Sequence, residues 1–222
     1  MKHQANCDLF NYWNECRGIR LAPDRSEIDP SAIRQVLGDT LIIEADGLAK
    51  FPLRIAGTRL CALFGRELKG ENFTSLWQAS SQMAIRELLA VVMEEKVGIV
   101  AKINATTNDS TILAVDLEMT LLPLAYKSRS EARVLGALAP MGSPYWLGTK
   151  SLGPLSLGMY RHIGGAIAAS GALTKTGTGT LTGGAAVTTD ANGARCWPTC
   201  PCSANSSATP ARNRRKPTSS SH

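Results

Sequence analysis

Phe51 to Trp77, FPLRIAGTRLCALFGRELKGENFTSLW, decides the fold of this chain. Phe51, Leu53 and Ile55 alternate with Pro52, Arg54 and Ala56, which gives a pleated strand one apolar face. Gly57 permits a sharp exit, and Thr58 is placed to cap a helix that starts at Arg59. Leu60, Leu63 and Phe64 share one side of that helix, and Gly65 closes it. A charged loop from Arg66 to Gly70 follows, and Phe73, Leu76 and Trp77 then return apolar bulk to the core. A strand that feeds short helices lying over a sheet builds a sensor core or a small ligand cavity. It brings no catalytic group with it.

Outward from this stretch the same periodicities continue. Upstream, Leu9, Tyr12, Trp13 and Cys16 stand at helical spacing in a segment that ends at Gly18. Asp29-Pro30 opens a second expected helix through Ile33 and Leu37 to Gly38. Thr40 to Ala45 reads as a strand, and Asp46-Gly47 is a hairpin signal. Downstream, Gln82 to Lys96 carries Ile85, Leu88, Leu89, Val92 and Met93 as one helical stripe. Ile99 to Ala105, Val115 to Leu121 and Val134 to Ala139 read as strands, with a turn at Asn108-Asp109 and a charged loop at Lys127 to Glu131.

The expected fold class is therefore α+β: a five-stranded antiparallel sheet with short helices on one face and two leading helices. The expected organisation is leading helices over 1–38, the sheet-and-helix domain over 39–163, and a low-complexity tail over 164–222. From Ala166 to His222, Ala, Gly, Thr and Ser give way to Pro, Ser, Arg and Lys without periodicity. Such a stretch buries too little apolar area to offset an ordering entropy of roughly 1–2 kcal/mol per residue, so it is expected to be disordered. Its abrupt onset also fits a shifted reading frame at the gene end.

Charge narrows the function classes. The chain has 24 Lys and Arg against 18 Asp and Glu. Residues 1–150 contain 17 of each sign, and residues 151–222 contain 7 basic and 1 acidic, so the whole excess of +6 lies in the tail. The body of the chain offers no basic face to a phosphate backbone, which argues against specific nucleic-acid binding. The run Arg212, Arg214, Arg215 and Lys216 is short and would bind polyanions weakly and in a salt-sensitive way. No stretch approaches the roughly 20 apolar residues of a spanning helix. No leader pattern follows Met1. A cytoplasmic protein with reduced thiols and no membrane partner is the expectation.

With the order of elements in hand, the chain resembles the PAS domain. The likeness is to a family of small single-domain bacterial PAS proteins. It rests on LFNYWNECRG (Leu9–Gly18), IDPSAIRQVL (Ile28–Leu37), RIAGTRLCALFGRELKG (Arg54–Gly70), LW (Leu76–Trp77), LEMTLLPL (Leu117–Leu124), LGALAP (Leu135–Pro140) and PYWLG (Pro144–Gly148). The positions that match the family wording are Gly57, Thr58, Arg59, Phe64, Gly65, Glu67, Gly70 and Trp77. The resemblance implies a sensory and regulatory module, acting through a protein partner or as a homodimer in signal transduction. The alternative is a small-molecule or cofactor-binding sensor that uses the space between sheet and helices. The candidate pocket residues are then Leu60, Cys61, Phe64, Phe73, Trp77 and Met93.

The chemistry of individual residues supports no enzyme. His3, His162 and His222 all lie outside the sheet-and-helix core, so no Ser-His-Asp or Cys-His arrangement forms, and a histidine-ligated haem is disfavoured. Cys61 and Met93 suit core packing better than axial ligation. TRLCALFG lacks the asparagine-containing wording of flavin-thiol photosensors. Cys196, Cys200 and Cys202 lack both a fourth ligand and a paired spacing, so no metal is expected. The glycines at 177, 179, 183 and 184 have no strand before them or helix after them, so no phosphate loop is read there. Arg59 and Glu67 are expected to form an ion pair that fixes the loop after the first short helix, with an anionic ligand for Arg59 as the alternative. No resident cofactor is expected, and an unidentified small ligand stays open. The stripe Leu9, Tyr12, Trp13 and Cys16 must cover a surface, either the chain's own sheet or a second copy, and a homodimer through it is the expectation.

Overall fold

A computed structural model describes residues 1–45, 50–108, 113–125, 132–142 and 144–164, with the short segments 188–189 and 195–196. Strands β1 (Thr40–Glu44), β2 (Leu53–Ala56), β3 (Gly98–Thr106), β4 (Ala114–Pro123), β5 (Arg133–Pro140) and β6 (Ser156–Ile163) form one antiparallel sheet. The spatial order is β2-β1-β5-β4-β3-β6. Helices α1 (Gln4–Arg17), α2 (Thr58–Phe64) and α3 (Ala79–Glu95) complete the frame. The α+β fold read from the sequence is the fold observed.

The two faces of the sheet carry two separate apolar layers. Along β4, Val115, Leu117, Met119 and Leu121 face the layer shared with α2 and α3, where Leu60, Leu63, Phe64, Phe73, Trp77, Ile85 and Leu89 are buried. This alternation is why β4 was legible: each second residue must be apolar on a half-covered strand. The opposite face holds Ile42, Val100, Leu122, Leu135 and Ala137, and there α1 closes the layer with Leu9 and Trp13. The Trp13 indole N–H donates to Pro123 O at 2.8 Å, and the Arg17 guanidinium lies 4.9 Å from the Trp13 ring centroid. The start of α1 is tied down by Glu118 of β4. Its carboxylate accepts from the Lys2, His3 and Asn6 N–H groups at 2.8–3.1 Å.

The stripe on α1 is therefore spent within the chain. Leu9 and Trp13 are fully buried against the chain's own sheet, while Tyr12 and Cys16 are only partly covered. Of the two surfaces that the stripe could cover, the intramolecular one takes both large anchors.

Two elements depart from expectation. The sheet has six strands where five were read. β6 pairs with β3, from Gly98 opposite Ile163 to Asn104 opposite Ser156, with an irregularity between Ala101 and Ile103. Gly158 sits at that irregularity, and a Cβ there would lie 2.7 Å from Lys102 O. The helix expected from Asp29-Pro30 is a chain of turns ending in a 3-10 turn at Leu37–Asp39, so α1 is the one α-helix before the sheet. Ile33, Val36 and Asp39 are buried at intervals of three. That spacing suits 3.0 residues per turn better than 3.6.

The hairpin signal at Asp46-Gly47, the loop Lys127–Glu131 and most of the tail over 166–222 lie outside the described residues. The chain divides into a unit over Met1–Gly184 and another over Ala185–His222. In the second, Thr188–Thr189 pairs with Arg195–Cys196. No helix among the described residues is long and apolar enough to cross a membrane.

Candidate functional site

The six candidate pocket residues come together, but as packing. Leu60, Phe64, Phe73, Trp77 and Met93 are buried in the inner layer, and Cys61 packs against it partly exposed. Phe73 and Trp77 meet edge to face at 5.7 Å between ring centroids. Asn72 sets this pair: its side chain accepts from Thr74 N and opens the 3-10 turn Phe73–Leu76. One polar group in the layer stands out. Trp77 is 2% exposed, and its Nε1 has no hydrogen-bond partner among the described residues. A buried donor without an acceptor is costly by about 1–3 kcal/mol.

Two of the family-wording positions, Gly57 and Arg59, lie at a crossing of backbone segments. β2 leaves the sheet through Gly57, directly over the 3-10 turn at Leu37–Asp39. A Cβ at Gly57 would lie 2.2 Å from Leu37 O and 2.3 Å from Gly38 O. Glycine is required there by contact with backbone, which cannot move aside. Arg59, the second residue of α2, lies over Gly38, whose missing side chain leaves room for the guanidinium. Its Nη2 reaches Asp39 Oδ2 at 3.2 Å and donates to Gln35 O at 3.1 Å. Gly65 closes α2 in the left-handed region at φ 65°, and Gly70, also at positive φ, donates its N–H to Leu53 O at 2.7 Å.

This geometry corrects the expected Arg59–Glu67 pair. Arg59 stands at the start of α2 and turns toward Asp39, whereas Glu67 lies beyond the helix end and accepts from Lys69 N. The loop after α2 is fixed instead by Arg66 and Glu71, joined by two hydrogen bonds at 2.9 and 3.1 Å.

Asp39 and Arg59 border a cavity of about 230 Å³ that the sequence did not announce. His3 joins them from the start of α1, and Leu63, Met141 and Leu147 supply apolar wall. The Asp39 side chain is 3% exposed and that of Arg59 is 53% exposed. Burial pushes the Asp39 carboxyl above its ordinary value, against the opposing pull of Arg59 and of His3. His3 accepts from Ala5 N through Nδ1, which caps α1. The three groups converge through tertiary contact between segments far apart in sequence, a juxtaposition no local pattern encodes.

A second cavity, of about 290 Å³, lies on the other face of the sheet and is lined by Arg25, Ile42, Glu44, Arg54, Ile55 and Arg133. Neither cavity is lined by the expected pocket residues. Among the described residues, no group of three or more potential metal-ligating side chains occurs, and Cys7, Cys16 and Cys61 form no disulfide. Cys200 and Cys202 lie outside the described residues.

The family model described as PAS domain matches residues 1–139. No curated protein matches the chain. Among solved structures, that of RsLOV D109G is similar: it is 14% identical, the match covers 50% of this chain and 67% of that one, and the TM-score is 0.35.

Proposed function

This chain belongs to the PAS domain family, and from that premise we propose that it is a non-enzymatic regulatory module that acts through a protein partner. The family suggests a sensory or regulatory role. The observation that favours a protein partner is the filled inner layer. Leu60, Phe64, Phe73 and Trp77 occupy the space between sheet and helices with their own side chains. A domain whose interior is closed by its own residues signals through its surface. Cys7, Cys16 and Cys61 form no disulfide among the described residues, which fits a reducing, cytoplasmic setting. Affinity capture from cells with the full chain as bait tests the reading. It fails if the purified protein shows no specific partner and no self-association.

Self-association is one form of the same reading. With Leu9 and Trp13 covered, it would run through the partly exposed Tyr12 and Cys16. Light scattering of the wild-type protein at high micromolar concentration decides it, and a monomer there removes it.

The unpaired Trp77 indole N–H favours a second reading, a small-molecule sensor in which a ligand acceptor meets that donor. Mass spectrometry of whatever co-purifies, with a visible absorbance spectrum, tests this. A bound compound that is lost in Trp77→Phe while the fold is kept supports it. A protein that carries no small molecule removes it.

A further inference from the structure

The cavity around Glu44 is a notch in which, among the described residues, three arginines face one carboxylate. Glu44 ends β1, and its side chain is 12% exposed. Arg54 of β2 engages the Glu44 carboxylate through both Nε and Nη2. Arg133 of β5 approaches the same carboxylate only to 3.5 Å. Arg25, from the 3-10 turn Arg25–Glu27, completes the rim, and its side chain has no partner among the described residues. Ile42 forms the floor, and Ile55, 41% exposed, forms an apolar shoulder. Two of the three guanidinium groups, those of Arg54 and Arg133, share the Glu44 carboxylate, whose acceptor capacity Arg54 has largely taken. Arg54 also holds that carboxyl below its ordinary value, so the arrangement persists in mild acid. The notch is locally basic, although residues 1–150 balance to zero.

We infer that this notch docks an acidic peptide segment of a partner protein, with carboxylates on Arg25 and Arg133 and an apolar side chain against Ile55. The inference rests on the protein-partner reading and names the chemistry of the partner. Guanidinium groups match carboxylates in shape and charge and stay protonated. The shoulder at Ile55 distinguishes a peptide from an inorganic or polymeric phosphate, which gains nothing from an isoleucine. No lysine among the described residues lines the notch. The free edge of β2 is covered at Leu53, whose N–H donates to Glu71 O and whose carbonyl accepts from Gly70 N. Recognition therefore runs through side chains rather than through strand addition.

Fluorescence anisotropy of the full chain with a labelled peptide of alternating Glu and Leu tests the inference, beside its Gln-for-Glu counterpart. The acidic peptide should bind and the neutral one should not. Arg25→Glu and Arg133→Gln should each weaken binding about tenfold, the scale of one charge-assisted hydrogen bond. Arg86→Glu, which makes the same charge change on the exposed face of α3, should leave binding unchanged. Arg25 has no side-chain partner among the described residues, so Arg25→Glu should keep the fold and the test intact even if Arg133→Gln unfolds. Absence of binding, equal loss in Arg86→Glu, or displacement by inorganic phosphate at equal charge would each overturn the inference. So would binding of phosphatidylserine vesicles in place of the peptide. A cellular partner still captured by Arg25→Glu would leave the regulatory reading standing and remove the notch from it.

Discussion

Arg59 and Asp39 are joined at 3.2 Å across the point where two backbone segments touch, one passing through Gly38 and the other through Gly57. The ion pair is a lock on that crossing. The glycines let the segments approach, and the pair holds α2 against the turn that leads into β1.

Arg59→Met should therefore destabilise the protein, by about 1–3 kcal/mol at neutral pH, because it leaves a buried carboxylate without its cation. The loss should depend on pH in a definite direction. Asp39 titrates above its ordinary value in the folded protein, so the folded state takes up its proton before the unfolded chain does. Stability held in acid is given back as pH rises through the folded-state value. Without Arg59 that value rises further, so the gap to wild type should be widest at neutral pH and narrow in acid. Denaturant melts at several pH values check this. A gap that widens in acid would contradict it.

Gly57→Ala should cost about 3 kcal/mol or more, since its methyl group would press on two carbonyl oxygens of a neighbouring backbone segment. Gly70→Ala meets open space and bears only the strain of φ 85°, on the order of 1–2 kcal/mol. Chemical denaturation should rank the first above the second.

Trp13→Ala should cost about 3–5 kcal/mol, as a fully buried aromatic whose N–H is bonded to Pro123 O. Trp13→Glu should lose helical circular dichroism and thermal stability together. A Trp13→Glu protein that stays folded and merely changes its oligomeric state would mean that α1 leaves the sheet in solution.

Lys96 ends α3 in the left-handed region at φ 56°, the one non-glycine residue at positive φ among the described residues. Burial lowers its ammonium to about 8. Lys96→Gly should raise stability by about 1 kcal/mol through relief of backbone strain. Between that value and the ordinary lysine range the unfolded chain holds more protons than the folded one, so wild-type stability rises with pH there. The advantage of Lys96→Gly should accordingly shrink in alkaline buffer.

The inner layer was legible because each of its elements repeats a local period. Met119 and Leu121 alternate on β4, and Ile85, Leu89 and Val92 recur along α3. The short helix after Gly57 was legible from its glycine brackets. β6 was not, because Met159, Tyr160, Arg161 and His162 are all exposed and leave no alternation to read. Gly158 in mid-strand was the one available sign of a bulge. The turns after Asp29 mimic a helix start: the Asp29 side chain accepts from Ser31 N as a cap would, yet burial every third residue draws the chain into tighter turns. The partner of Arg59 was missed for a different reason. Asp39 is twenty positions earlier and reaches it only through the crossing at Gly57.

The addition of β6 bears on the timing of folding. Until residue 163 has been synthesised, β3 presents Gly98–Thr106 as an open row of amides and carbonyls. Leu152 and Leu155, buried in the finished protein, are likewise missing from the inner layer of a shorter nascent chain. The residues matched by the family model end at 139, before any of this is made. A chain released at that boundary would carry every strand from β1 to nearly all of β5 and still expose a long apolar border, a template for pairing with its neighbours. β6 thus closes the open row of β3 and brings Leu152 and Leu155 into the inner layer, so the sheet is complete only once residue 163 has been made.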